Sequence, residues 1–136
     1  MGNTEFDREL FLTDAYAVKT TGIKIEECNE DYARCSMEID DRHFNMYGNV
    51  MGGAIFTLAD YTFGITANTG KPETVSLTST INFMRGTRGP VLYAEARCVK
   101  SGKNICFYEV TITDDENNII AVAQANGFVK QTAKYK

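Results

Sequence analysis

Residues Ala54 to Thr69 read AIFTLADYTFGITANT, with apolar side chains on nearly every face of a helix. A segment of that kind buries itself all round, so it predicts the central helix of the fold. Gly70-Lys71-Pro72 ends it with a glycine suited to a helix C-terminus and a proline that cannot continue the helix. Downstream the period changes to two. Val75, Leu77, Ile81 and Phe83 alternate with Ser76, Thr78, Thr80 and Asn82. Val91 to Val99 and Ile105 to Thr113 flank the turn Ser101-Gly102-Lys103-Asn104, and Asp115-Glu116-Asn117-Asn118 leads into a last strand, Ile119 to Val129. Upstream, Asp14 is placed to cap a short helix through Val18, which Gly22 breaks. Ile23 to Cys28 alternates and Asn29-Glu30-Asp31 turns. Ala33, Cys35, Met37 and Ile39 then face one way while Arg34, Ser36 and Glu38 face the other.

About six strands joined largely by hairpins, one long helix and one short leading helix make an α+β chain. A hairpin-connected sheet must cover one apolar face, and a helix apolar all round does so when the sheet curls around it. With 136 residues and 15.1 kDa there is room for one such domain, spanning 1–136.

Composition narrows the chemistry. Fourteen basic against 18 acidic residues leave a net charge of −4, which argues against nucleic acid or an anionic membrane as partner. Asp60 and several threonines interrupt the longest apolar stretch, Gly52 to Thr69, so no membrane span is expected. The N-terminus has no basic region followed by an apolar core, and Phe6 stands where a myristoylation motif wants Ser or Thr. Cys28, Cys35, Cys98 and Cys106 lack CxxC spacing and read as free, mostly buried thiols of a cytoplasmic protein. The single histidine, His43, cannot supply a multi-His metal site, so no metal is expected. No Walker or GxGxxG motif points to a nucleotide cofactor.

One acid stands out on the central helix. The helical neighbours of Asp60 are Phe56, Thr57, Phe63 and Gly64. Two phenylalanines beside a carboxylate impede its solvation and raise its basicity. Most helix aspartates point to solvent or bond the backbone, but this helix offers no obvious polar face for that. Gly52-Gly53 opens the helix and leaves backbone N–H groups approachable at its positive end, where they can hold an oxyanion. A tight strand-to-helix turn would also ask for glycines. Gly53 and Asp60 are seven residues apart, close to two turns, so donor and base share one side of the helix and suit acyl transfer.

The segment Asn45-Met46-Tyr47-Gly48-Asn49-Val50-Met51-Gly52-Gly53 with Ala54 to Asp60 resembles the central motif of PaaI-like hotdog-fold acyl-CoA thioesterases. The resemblance extends from roughly Ala15 to Val129 and implies a curled antiparallel sheet around one long helix. It implies roles as well. Asp60 would act as general base or nucleophile at an acyl-CoA or aryl-acyl-CoA thioester, and the Gly52 N–H as oxyanion donor. Asn45 would orient water or the carboxylate of a facing subunit, and Ser76 would assist from that opposite side. A homodimer or homotetramer, with its site between two subunits, would be the working form. Coenzyme A is then part of the substrate and no other cofactor is implied. Met51 departs from the pattern, because relatives place a histidine before the double glycine. His43 stands eight residues earlier and reads as a loop or surface histidine.

For substrate binding, Gly53, Met51 and Phe56 flank the helix start. Arg85, Arg88, Lys100 and Lys103 are candidate partners for the coenzyme A phosphates. Tyr61, Phe63 and Phe83 join Phe56 as candidate pocket walls. Two other readings compete. A hotdog dehydratase or hydratase is suggested by His43-Phe44-Asn45, and a non-catalytic acyl-CoA-binding module by the exchange at Met51.

Overall fold

The structure is a computed structural model that describes residues 4–131; the reading of Met1 to Asn3 lies outside them. The order is α1 (Thr4–Phe11), a short π-helix (Ala15–Thr20), β1 (Ile23–Cys28), β2 (Tyr32–Glu38), a 3-10 turn (Asp41–His43) and α2 (Gly52–Asn68). Then come β3 (Thr74–Phe83), β4 (Val91–Ser101), β5 (Ile105–Asp114) and β6 (Ile119–Val129). The six strands form one antiparallel sheet in the order β1-β2-β4-β5-β6-β3, and α2 touches every strand. This is the hotdog arrangement.

The sheet can curl around α2 because its inner face is small. Ala94, Ala96, Ala121, Ala123 and Ala125 face the helix, with Leu92, Val110 and Ile112 between them. Bulges at Ile25/Glu27, Ser76/Thr78, Cys98/Lys100 and Ile112/Thr113 tighten the twist. The helix threonines are explained by back-bonding. Thr62 and Thr69 donate to the carbonyls of Leu58 and Ile65, both at 2.7 Å, so their hydroxyls are satisfied inside the core.

Two expectations need correction. The helix is not buried on every face: Gly53, Phe56, Thr57, Asp60 and Gly64 form a stripe that is at least partly accessible. Glycine and threonine are nearly neutral in hydropathy, so that stripe left little periodic signal. The second correction concerns β3. Ser76 pairs with Gly127 and Thr78 with Asn126, which leaves Leu77 as an extra residue. One extra residue inverts the alternation. Val75 therefore lies opposite Phe128 on the outer face, while Phe83 lies opposite Ala121 on the inner one. The inner face of β3 reads Thr74, Ser76, Ser79, Ile81, Phe83.

Packing around Gly127 leaves no room for a side chain. A Cβ there would stand 2.8 Å from Thr74 Cγ2, 2.9 Å from Cys106 Sγ and 3.0 Å from Phe63 Cζ, and these three side chains are buried. Gly127→Ala is expected to lose about 1–3 kcal/mol by overpacking. The midpoint of urea unfolding measures this, and an unchanged midpoint would show that the contact relaxes freely.

Candidate active site

The loop that leads into α2 is built on Asn45. Its side-chain oxygen accepts from the Tyr47 and Asn49 N–H groups at 2.9 and 3.1 Å. Gly48 turns the chain at φ +79°. The Val50 N–H then donates to Thr87 O at 2.9 Å and the Met51 N–H to His43 O at 2.8 Å, which fixes where the helix begins. Ala54 and Ile55 both donate to Met51 O, whereas the N–H groups of Gly52 and Gly53 have no backbone acceptor among the described residues. Gly53 is exposed, and an added Cβ there would meet nothing within 4 Å. At Gly52 an added Cβ would lie 3.3 Å from Phe83 Cζ, so the Phe83 ring flanks the donor. Met51 is exposed beside it.

His43 is not a surface residue. It is 2% exposed, accepts at Nδ1 from the Asp40 N–H at 3.0 Å, and stands 2.7 Å through Nε2 from Thr21 O. With Nδ1 accepting, Nε2 carries the hydrogen and donates to Thr21 O. Both ring nitrogens are committed to holding the 3-10 turn, so the histidine on which the dehydratase reading rested is unavailable for chemistry.

Asp60 projects from the accessible stripe of α2 at the mouth of a cleft of about 560 Å³. Ser76 Oγ donates to Asp60 Oδ1 at 3.2 Å. This corrects the expectation that Ser76 acts from a facing subunit: the β3 bulge turns it toward the carboxylate of its own chain. The outer side of Asp60 meets solvent, while α2 and β3 flank the carboxyl and Leu10, Phe11, Thr13 and Asp14 face it across the cleft. Loss of water on the flanked side pushes its pKa up, the Ser76 hydrogen bond pulls it down, and the Asp14 carboxylate pushes it up again. The upward direction is the one expected from the neighbouring phenylalanines, of which Phe63 lines the cleft and Phe56 does not. Asp14 was not expected there, because in sequence it reads only as a helix cap, which it also is, accepting from the Ala17 N–H at 3.1 Å.

The other expected residues separate into groups. Gly52 and Asp60 lie on one helix eight residues apart, about 12 Å along the axis, so one chain cannot present both to the same carbonyl carbon. Asn45 is likewise held in the loop before the helix. Arg88 sits by that loop, its Nη1 3.6 Å from where a Cβ on Gly48 would be. Arg85 instead leans toward Asp114, whose carboxyl is held down first by Asn118 and also by this guanidinium. Phe56 is half-buried and lies outside the Asp60 cleft. Phe63 packs edge-on against Tyr108, ring centroids 5.4 Å apart. Tyr61 lines the cleft and donates its hydroxyl to Phe11 O at 2.6 Å. Lys100 and Lys103 border two smaller hollows elsewhere. Among the described residues no three His, Cys, Asp or Glu side chains are grouped to hold a metal ion, and no helix is long and apolar enough to cross a membrane.

The sequence profile of the thioesterase superfamily matches residues 47–121, from the Asn45 loop through α2 into β6. The acyl-coenzyme A thioesterase PaaI of Escherichia coli is 30% identical over 114 residues, which cover 83% of this chain and 81% of that protein. Its solved structure has the same fold, with a TM-score of 0.89 over 96% of this chain and 95% of that one at 22% identity. A hypothetical thioesterase protein of Streptococcus pneumoniae, solved with coenzyme A, is 27% identical with a TM-score of 0.84, covering 93% of this chain and 98% of that one. Two further structures of a hypothetical thioesterase from the same organism each carry one replacement by alanine, one of an aspartate and the other of a threonine sixteen positions later. A Streptococcus mutans protein bound to acetyl-CoA is 27% identical with a TM-score of 0.78, covering 82% and 91% of the two chains. By its fold, by the motif that opens its central helix and by these relatives, the chain belongs to the thioesterase superfamily, as a PaaI-like hotdog thioesterase.

Proposed function

We propose that the chain hydrolyses acyl-CoA thioesters, that Asp60 is the general base, and that two copies of the chain together make each site. The observation that carries this reading is the Asp60 carboxylate, oriented by Ser76 at 3.2 Å and lining a cleft of about 560 Å³. Asp60 and Ser76 are sixteen positions apart, the same separation as the aspartate and threonine replaced in the pneumococcal thioesterase. The ligands in the two streptococcal structures support coenzyme A as the carrier of the acyl group.

Asp60 takes a proton from water as the water oxygen bonds to the thioester carbon. The carbonyl oxygen becomes an oxyanion, held by the Gly52 N–H of the second copy at the positive end of its α2. The carbon–sulfur bond then breaks, and the coenzyme A sulfur recovers the proton from Asp60. The products are free acid and coenzyme A. A second copy is required by reach, because the Gly52 N–H of the same chain lies about 12 Å from Asp60. The unpaired edge of β3 supports such pairing. Four free thiols support a reducing, cytoplasmic setting.

Thiol release from acetyl-, octanoyl- and phenylacetyl-CoA, measured alongside sedimentation, tests the reading. Release from at least one thioester by a dimer or larger species is expected. Tight binding of acyl-CoA without release would mark a binding module instead, and an active monomer would overturn the shared site.

A further inference from the structure

The cleft beside Asp60 has features that hydrolysis alone does not require. It follows α2 from Asp60 past Gly64 to Asn68, about 12 Å of helix. Leu10, Phe11 and Asp14 line it from the other side. Hydrogen bonds fasten that wall: Tyr61 to Phe11 O at 2.6 Å, the Gly70 N–H to the Asp7 carboxylate at 2.7 Å, and Arg8 to Ile25 O at 3.1 Å. Gly64 stands midway along the floor, where an added Cβ would meet nothing within 4 Å. Open space over a glycine, facing a fixed wall, is room for a ligand group.

Charge decides which end of the thioester enters. Asp14, Asp60 and Glu73 line the cleft, and no lysine or arginine does so among the described residues. Glu73 is paired with Lys130 at 2.9 Å, which leaves the two aspartates as the cleft's uncompensated charges. The phosphates of coenzyme A are therefore repelled from this cleft and left to the other side of the thioester, where the second copy's helix start brings Arg88 with the Gly48 turn. We propose that this cleft receives the acyl group, that Gly64 provides the room for a bulky one, and that Asp14 excludes acyl chains ending in a carboxylate. The inference rests on the thioester reading above.

The test measures kcat/KM for acetyl-, octanoyl- and succinyl-CoA with the wild type, Gly64→Ala, Gly64→Leu and Asp14→Asn. Asparagine still caps the helix at position 14, so the wall is preserved. The wild type is expected to favour octanoyl over succinyl by about tenfold or more. Gly64→Leu lowers the octanoyl-to-acetyl ratio about tenfold or more, and Gly64→Ala lowers it less. Asp14→Asn raises the succinyl-to-octanoyl ratio about tenfold. Ratios within one variant cancel any loss of folded protein. Equal losses on all three substrates in Gly64→Leu, or an unchanged ratio in Asp14→Asn, would overturn the inference while hydrolysis stands. A wild type that releases thiol from none of the three, nor from phenylacetyl-CoA, overturns the thioester reading, and the inference with it.

Discussion

Asp60→Asn is expected to lower kcat for thioester hydrolysis by about 10²–10⁴-fold, the range for removing a general base, with the fold intact. Asparagine keeps the shape and a hydrogen-bonding oxygen for Ser76 but cannot take a proton from water. The wild-type pH profile carries a matching signature. Desolvation and Asp14 raise the Asp60 pKa against the pull of Ser76, so the acid limb of kcat/KM lies above the ordinary carboxylate value. Ser76→Ala removes the one lowering influence and moves that limb further up. The same shift fixes a sign for stability. With a folded pKa above the unfolded one, the group's stabilising contribution is full below the unfolded pKa and is lost as pH rises through the folded pKa. At neutral pH the ionised carboxylate therefore opposes folding, and Asp60→Asn should unfold at the same temperature or higher. An active Asp60→Asn enzyme would remove Asp60 from the mechanism as drawn, and a lowered thermal transition would overturn the stability sign.

Gly52→Pro tests the oxyanion donor and the shared site together. Proline is well suited to the first position of a helix, and it deletes only the N–H in question. Met51, at φ −65° and ψ 140°, already has the extended backbone that a following proline requires. The added ring carbons meet the exposed Phe83 ring, which has room to shift. Loss of one oxyanion donor is expected to cost about 10²–10³-fold in kcat, or about 2.7–4 kcal/mol. Gly52→Ala brings the same Cβ but keeps the N–H, and should stay near wild type. Neither Gly52→Pro nor Asp60→Asn works alone. Mixed as equal amounts of exchanging subunits, they should recover about a quarter of wild-type activity, since half the pairs are mixed and each has one intact site. No recovery from a mixture shown to exchange subunits would place donor and base on one chain.

Much of the architecture is written in short-range pattern. The buried helix over residues 54–69, the turns at 29–31, 101–104 and 115–118, and the strand Ile119–Val129 all follow from periodicity and turn chemistry. Asp60 could be singled out for the same reason, because helical spacing alone sets two phenylalanines around it. Strand alternation set Ser76 on the polar face, and the resemblance gave it to the opposite subunit; the extra residue Leu77 puts Ser76 on the same face as Ile81 and Phe83, and nothing local marks where a strand bulges. His43 could be read as a surface residue because its partner, Thr21 O, lies 22 positions away.

The sequence by itself determined the elements, their hairpin order and the helix that carries both a carboxylate and a free helix start. It could do so because helix and strand periods depend on neighbours a few residues apart. Only the tertiary structure decided which groups meet. It set Ser76 and Asp14 about Asp60, opened the cleft over Gly64, and left Gly52 two helical turns away, beyond hydrogen-bonding reach of anything Asp60 touches. Such meetings depend on sheet register and on how distant segments pack, and a local pattern carries neither.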